Sequence, residues 1–207
     1  MSEAIDTREL HDRLELIESM IAEGRRKTES WGWTFVLWGF AYFAAIVWSG
    51  WAQVLFPMPR LAGSQWAWPA TMLGTAALTL LIGQKTGQHE AINTLSRTIG
   101  SVWMGVGGSM LVIFPALGIS GRLDTHMFVA LVATMLGGIN AASAMILRWK
   151  LQFCCAVVWW LTSAAACFGS ERQLLVVFLT ALFLSQIVFG VYVMIRDGQA
   201  RREVRHG

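Results

Sequence analysis

The stretch that decides the fold is residues 173–195, QLLVVFLTALFLSQIVFGVYVMI, which contains no charged side chain. A helix rises about 1.5 Å per residue, so 20 or more such residues cross about 30 Å of hydrocarbon. The sequence therefore predicts an all-α polytopic membrane protein, a bundle of six transmembrane helices. Five further charge-free stretches of 20 or more residues precede this one, at 30–59, 61–84, 98–121, 125–147 and 151–170.

The composition supports the same class of protein. The chain has 207 residues, of which 55% are hydrophobic and only 14% are charged, against roughly 25% charged residues in soluble domains. Buried helices of soluble proteins need only about 10–14 continuous apolar residues, fewer than any of the six stretches contains. The net charge of +3 is explained by cations that flank the membrane, so no nucleic-acid partner is expected.

The 16 Lys and Arg residues alternate between the two ends of the predicted helices. Thirteen lie in the N-terminal segment, the second and fourth loops and the C-terminal tail, whereas the other loops hold only Arg60, Arg122 and Arg172. Cytoplasmic loops carry an excess of such cations, so both termini are predicted to be cytoplasmic. Three cysteines and no N-glycosylation acceptor make a bacterial inner membrane the expected location.

These observations divide the chain into three parts. Residues 1–29 are predicted to form a cytoplasmic amphipathic helix, residues 30–197 a six-span membrane domain, and residues 198–207 a basic cytoplasmic tail. Because the outer loops are short, the spans are expected to pair into three outer-turned hairpins. The third span is expected to extend into the cytoplasm and to pack beside the N-terminal helix.

The N-terminal helix carries an apolar stripe, hereafter the contact stripe. Its members, Leu10, Leu14, Ile17 and Ile21, are spaced four, three and four residues apart, which is the seam spacing of a coiled coil. Leu16 falls outside the stripe. A second copy, the membrane surface or another protein could cover it. The acidic polar face poorly matches anionic lipid headgroups, so contact with protein is expected, in a homo-oligomer or with a partner.

The predicted hydrocarbon segments contain no Asp, Glu, Lys or Arg. Ionisable groups inside a membrane mark proton relays and ion paths, so their absence argues against a proton-coupled transporter, a cation pump or a voltage sensor. Two amides, Asn140 and Gln186, are predicted at similar depth near the midplane. We expect both to face the bundle interior and to bond to each other, to nearby Ser or Thr, or to backbone. The alternative is that they belong to a substrate site.

Small residues recur every four positions in two of the predicted spans, a pattern typical of close helix packing in membranes. Ser101, Gly105 and Ser109 form such a face on the third span, and Gly138 with Ala142 extends one on the fourth. The two faces are predicted to pack on each other. The alternative is that one of them lines a pore.

The sequence predicts no catalytic, cofactor or metal site. The four histidines are scattered, and the three cysteines of the fifth span are expected to be small buried side chains. The leading hypothesis is a non-enzymatic membrane protein, a sensor, regulator or accessory subunit that acts by protein contacts through its N-terminal helix. The alternative is a channel or facilitator for a small neutral solute. A membrane enzyme would require a pocket that unites His89, Glu90 or His126 with other polar groups.

Overall fold

A computed structural model describes residues 7–29, 31–55, 64–85 and 94–206, and this part of the chain is helical throughout, without a strand. A π-helical segment interrupts the last helical rod, so that α7, the π segment and α8 follow one another without a break. The bounds are α1 Thr7–Glu29, α2 Gly32–Leu55, α3 Ser64–Lys85, α4 Thr94–Ile119, α5 Thr125–Ile146, α6 Lys150–Ala166, α7 Glu171–Leu182, the π segment Phe183–Val188, and α8 Phe189–His206.

Four helical stretches are long and apolar enough to cross a membrane: Gly32–Gly50, Arg97–Ile119, Thr125–Ile146 and Glu171–Gln199. By length and composition they indicate a helical membrane protein. The other two predicted spans correspond to α3 and to α6, which has 17 residues and is therefore about 25 Å long. The prediction of six spans and the three-part division of the chain stay predictions.

Helices α5 and α6 form a tight antiparallel hairpin, which has the most extensive contact of any helix pair in the described part of the chain. Asp124 caps α5, because its side chain accepts a hydrogen bond of 2.7 Å from the Met127 amide. At the other end Arg148 adopts a left-handed φ of 48°. This reverses the chain and lets the Trp149 amide donate to the Ala144 carbonyl at 2.8 Å.

A glycine shapes the α5–α6 contact as well. The Trp160 indole lies so close over Gly137 that a Cβ there would clash with its Cδ1 atom. One turn further, the Ser163 hydroxyl donates to the Ala130 carbonyl at 3.0 Å, so it accepts the 2.7 Å hydrogen bond that it shares with Thr134. Gly137, Ala130 and Thr134 thus pack on α6.

Helix α2 packs along the last helical rod with direct backbone approach. A Cβ on Gly190 would lie 3.0 Å from the Gly32 carbonyl oxygen, and a Cβ on Gly39 would lie 3.0 Å from the Gln186 Cβ. Beside this crossing, the Phe35 and Phe189 rings meet edge to face with centroids 5.2 Å apart. Glycine is required at the crossing because any larger residue would push the two backbones apart.

The predicted packing of the small α4 face on α5 is wrong within the chain. Ser101, Gly105 and Ser109 are exposed, and a Cβ on Gly105 would meet nothing within 4 Å. On α5, Gly138 is also exposed and Ala142 is only half-buried. Helix α4 instead packs against the core through its large apolar side chains. They are Val102, Trp103, Val106, Met110 and Phe114.

The buried apolar residues form two clusters, one above the other along the bundle. The first includes Tyr42, Ile139, Trp159 and Leu182, and the Trp68 ring extends it by packing on Tyr42 and on Phe128. The second lies towards the α5–α6 turn. Its members are Phe35, Ile99, Leu147, Trp149, Cys155, Phe189 and Val193.

We expect Gly190→Ala to lower the thermal unfolding midpoint in detergent relative to Gly138→Ala. A Cβ at 190 would lie 2.8 Å from Val36 Cγ2, and overpacking of this kind costs about 1–3 kcal/mol. A Cβ at 138 meets nothing within 4 Å, and alanine favours a helix over glycine by about 1 kcal/mol. Equal midpoints for the two variants would contradict the close contact between α2 and α8.

Candidate functional site

Five buried polar side chains lie between or among the residues of the two apolar clusters along the helices, and we call them the polar layer. Each member is at most 3% exposed, although the surroundings are apolar. Helices α5 and α6 and the π segment all contribute to it. The polar layer consists of Asn140 and Ser143 from α5, Gln152 from α6, and Ser185 and Gln186 from the π segment.

The π segment presents two consecutive polar residues to two different neighbours. Ser185 lies beside the Cys155 thiol of α6, without a hydrogen bond of normal geometry. Gln186 faces α2, since a Cβ added to Gly39 of that helix would lie 3.0 Å from the Gln186 Cβ. π-Helical turns inside α-helices occur frequently at functional sites, so the π segment marks this part of the bundle as a candidate site.

Few hydrogen bonds satisfy the polar layer. The Asn140 Nδ2 atom donates to the Leu136 carbonyl at 2.8 Å, and the Trp103 indole donates to the Ser143 hydroxyl at 3.2 Å. Four atoms of the polar layer have no hydrogen-bond partner in the described protein: Asn140 Oδ1, Gln152 Oε1 and Nε2, and Ser185 Oγ. The same holds for Nε1 of Trp159 in the first apolar cluster. Each such atom costs about 1–3 kcal/mol, so the polar layer opposes the stability of the bundle.

The structure places both predicted amides inside the bundle. Asn140 bonds to backbone, which is one of the three partners expected for it. No hydrogen bond joins Asn140 to Gln186 among the described residues. Their role, as contact between helices or as part of a substrate site, stays a prediction.

Gln152 is the polar-layer residue that the sequence analysis missed. It is the second residue of the predicted fifth span, a position from which a long amide can usually reach the interface. In the structure it is completely buried, and neither amide atom has a hydrogen-bond partner among the described residues. A sequence signal exists: Gln152, Cys155 and Trp159 fall on one face of α6 at helical spacing.

The contact stripe lies mostly open on α1. Leu10, Leu14 and Ile17 are 45%, 58% and 51% exposed, and Ile21 is half-buried. Helix α1 contacts α4 and α8, which agrees with the expected position of the third span beside it. Helix α4 begins at Thr94. We expected it to begin at Gln88, but residues 88–93 lie outside the described part of the chain.

The described residues bring together no group of His, Cys, Asp and Glu that could hold a metal ion. His126 bonds through its Nε2 atom to the Gly169 carbonyl at 3.0 Å, which ties two turns together. His89 and Glu90 lie outside the described residues. The expectation of buried cysteines holds for Cys155 alone, because Cys154 and Cys167 face outward from α6 and its C-terminal end.

No protein-family model matches this chain. Searches against curated proteins and against solved structures likewise find no match.

We expect Gln152→Met to raise the thermal unfolding midpoint and Ser143→Ala to lower it. The first change replaces an amide without partners by an apolar side chain of similar length, which removes a desolvation cost of about 1–3 kcal/mol. The second removes the acceptor of the Trp103 indole. A lower midpoint for Gln152→Met would mean that the amide is satisfied after all.

Proposed function

We propose that this chain is an integral membrane protein without catalytic activity that acts through protein contacts, as a sensor, a regulator or an accessory subunit. In this proposal six helices span a bacterial inner membrane, both termini are cytoplasmic, and α1 is the contact element. The observation that carries the proposal is the exposure of Leu10, Leu14 and Ile17 on a helix outside the apolar bundle.

An exposed apolar stripe on a solvated helix favours a partner for energetic reasons. Full burial of a Leu or Ile side chain stabilises a complex by about 1.5–3 kcal/mol. In proteins most of the stability of a helix comes from packing of its amphipathic face, so α1 gains stability when the stripe is covered. The contacts with α4 and α8 cover little of it, because residues 10–20 all remain exposed.

The charges of α1 favour protein over lipid as the covering surface. Asp12, Glu15 and Glu18 are exposed on the helix and would face anionic headgroups if the stripe lay in the membrane interface. Helices that bind such surfaces carry Lys and Arg on the polar face instead.

Two contacts between helices support the proposal that six helices span the membrane. Helix α3 packs on α2 and α6 packs on α5, and each of those neighbours is long and apolar enough to span a membrane. A short α6 is compatible with a span, since Lys150 at its first turn can extend its ammonium group to the interface. The even number of spans then agrees with the distribution of Lys and Arg.

A facilitator for a small neutral solute is the second candidate, and the polar layer is the observation that favours it. Its buried amides and hydroxyls could bind a solute through hydrogen bonds. Ser101 and Gly105, which we would also place near a solute path, do not lie with them, since both are exposed on α4. The contact hypothesis therefore has the stronger support.

We expect the double variant Leu14→Glu/Ile17→Glu to lose the proteins that cross-link to the wild-type chain in native membranes, because two carboxylates would interrupt the apolar stripe. Leu16→Glu is the matched control: Leu16 is 60% exposed on the same helix but lies outside the stripe. The measurement is mass spectrometry of the cross-linked species after gentle extraction. An unchanged set of cross-linked proteins for the double variant would refute the contact hypothesis.

A further inference from the structure

We propose that the contact stripe binds α1 of a second copy of this chain in a parallel coiled coil. The proposal rests on the proposed function and names its partner. Leu14 and Ile17 would pack against the same residues of the partner copy, and Leu10 and Ile21 would close the two ends of the contact.

The stripe has the pattern that such a contact needs. With Leu10 and Ile17 at d positions, Leu14 and Ile21 take the a positions, so the four residues form one continuous seam. Three of them are exposed and Ile21 is half-buried, so the seam is open over most of its length. Leu16 falls at a c position on the outer side and would stay exposed in the complex.

The charges beside the seam select a second copy in parallel orientation. Arg13 occupies the g position on one flank and Glu18 the e position on the other, five residues later. In a parallel coiled coil a g residue meets the following e residue of the other helix, so Arg13 of each copy meets Glu18 of the other. In an antiparallel coiled coil, g positions face g positions and e positions face e positions. Both Arg13–Glu18 pairs would then be lost.

This pairing does not require a free guanidinium. Arg13 already takes part in an interaction within its own chain, and contact with Glu18 of a second copy would extend that interaction across the interface. Exposed ion pairs contribute only about 0.2–1 kcal/mol each, so here they set orientation and the apolar seam supplies affinity.

The membrane imposes the same orientation. All copies follow the same positive-inside rule, so they have the same orientation in the membrane. Each α1 ends at Glu29, two residues before the turn at Trp31 that leads into α2. The C-terminal ends of two neighbouring α1 helices therefore lie at the same membrane surface. Attachment to the bilayer raises their effective concentration, which offsets the marginal stability of so short a coil.

Disulfide cross-linking of the full-length chain in native membranes tests the proposal. The background is the variant Cys154→Ala/Cys155→Ala/Cys167→Ala, which removes the three native thiols. In it, Leu14→Cys should form a disulfide-linked dimer under mild oxidation, because the a positions of a parallel coil face each other. Leu16→Cys should give at least about fivefold less dimer, because c positions point away from the seam.

Orientation is tested by co-expressing two differently tagged chains, one with Leu10→Cys and one with Ile21→Cys. A parallel coil joins only chains of the same kind, whereas a mixed dimer would overturn the proposed orientation. In the Leu14→Cys background, Arg13→Glu should lower the dimer yield about threefold through repulsion from Glu18 of the other copy. Addition of Glu18→Arg should restore it.

The possible outcomes separate this inference from the proposed function. If Leu14→Cys gives no more dimer than Leu16→Cys while Leu14→Glu/Ile17→Glu still loses other cross-linked proteins, the second copy is the wrong partner and the contact hypothesis stands. If neither experiment responds to changes in the stripe, both proposals fail. Strong cross-linking at 14, absence of the mixed dimer and rescue by the charge exchange would together support the parallel coil.

Discussion

Helices surrounded by lipid gain no hydrophobic free energy by leaving it, so the bundle depends on how closely their backbones can approach. The structure meets this constraint at two places that differ in kind. At the crossing of α2 and α8, Gly32 and Gly190 allow backbone to meet backbone. Between α5 and α6, Gly137 provides a flat surface that a single indole covers. The two apolar clusters and the polar layer are arranged around these contacts.

The sequence predicted the helices well where local signals are strong. The predicted span 125–147 matches α5 at Thr125–Ile146, because Asp124 supplies a cap and the charges after Leu147 end the apolar run. The last span was predicted to end at residue 195, yet the helix continues to His206, since its polar residues are adequate helix formers. Hydrophobicity marks where lipid ends and does not mark where a helix ends.

Packing partners were harder to predict. Spacing identifies a small-residue face on α4, but it cannot tell whether another helix of the same chain reaches that face. The contact made by Gly190 was missed because its partner, Gly32, lies far away in sequence and belongs to no four-residue repeat. The polar layer was found only in part: Asn140 and Gln186 stand out in apolar runs, whereas Gln152 is hidden at the end of one. The π segment has no recognised sequence signature.

The turn between α5 and α6 shows a conflict between two requirements on one residue. Arg148 holds a left-handed backbone that glycine would adopt more easily by about 1 kcal/mol. A glycine at this position would lower the backbone strain but would remove one of the two cations of this loop. The other cation is Lys150. In the proposed topology that loop faces the cytoplasm, where cations keep a hairpin from inserting upside down. In that topology Arg148 would favour correct insertion of the hairpin during synthesis, at the cost of a small backbone strain in the folded protein.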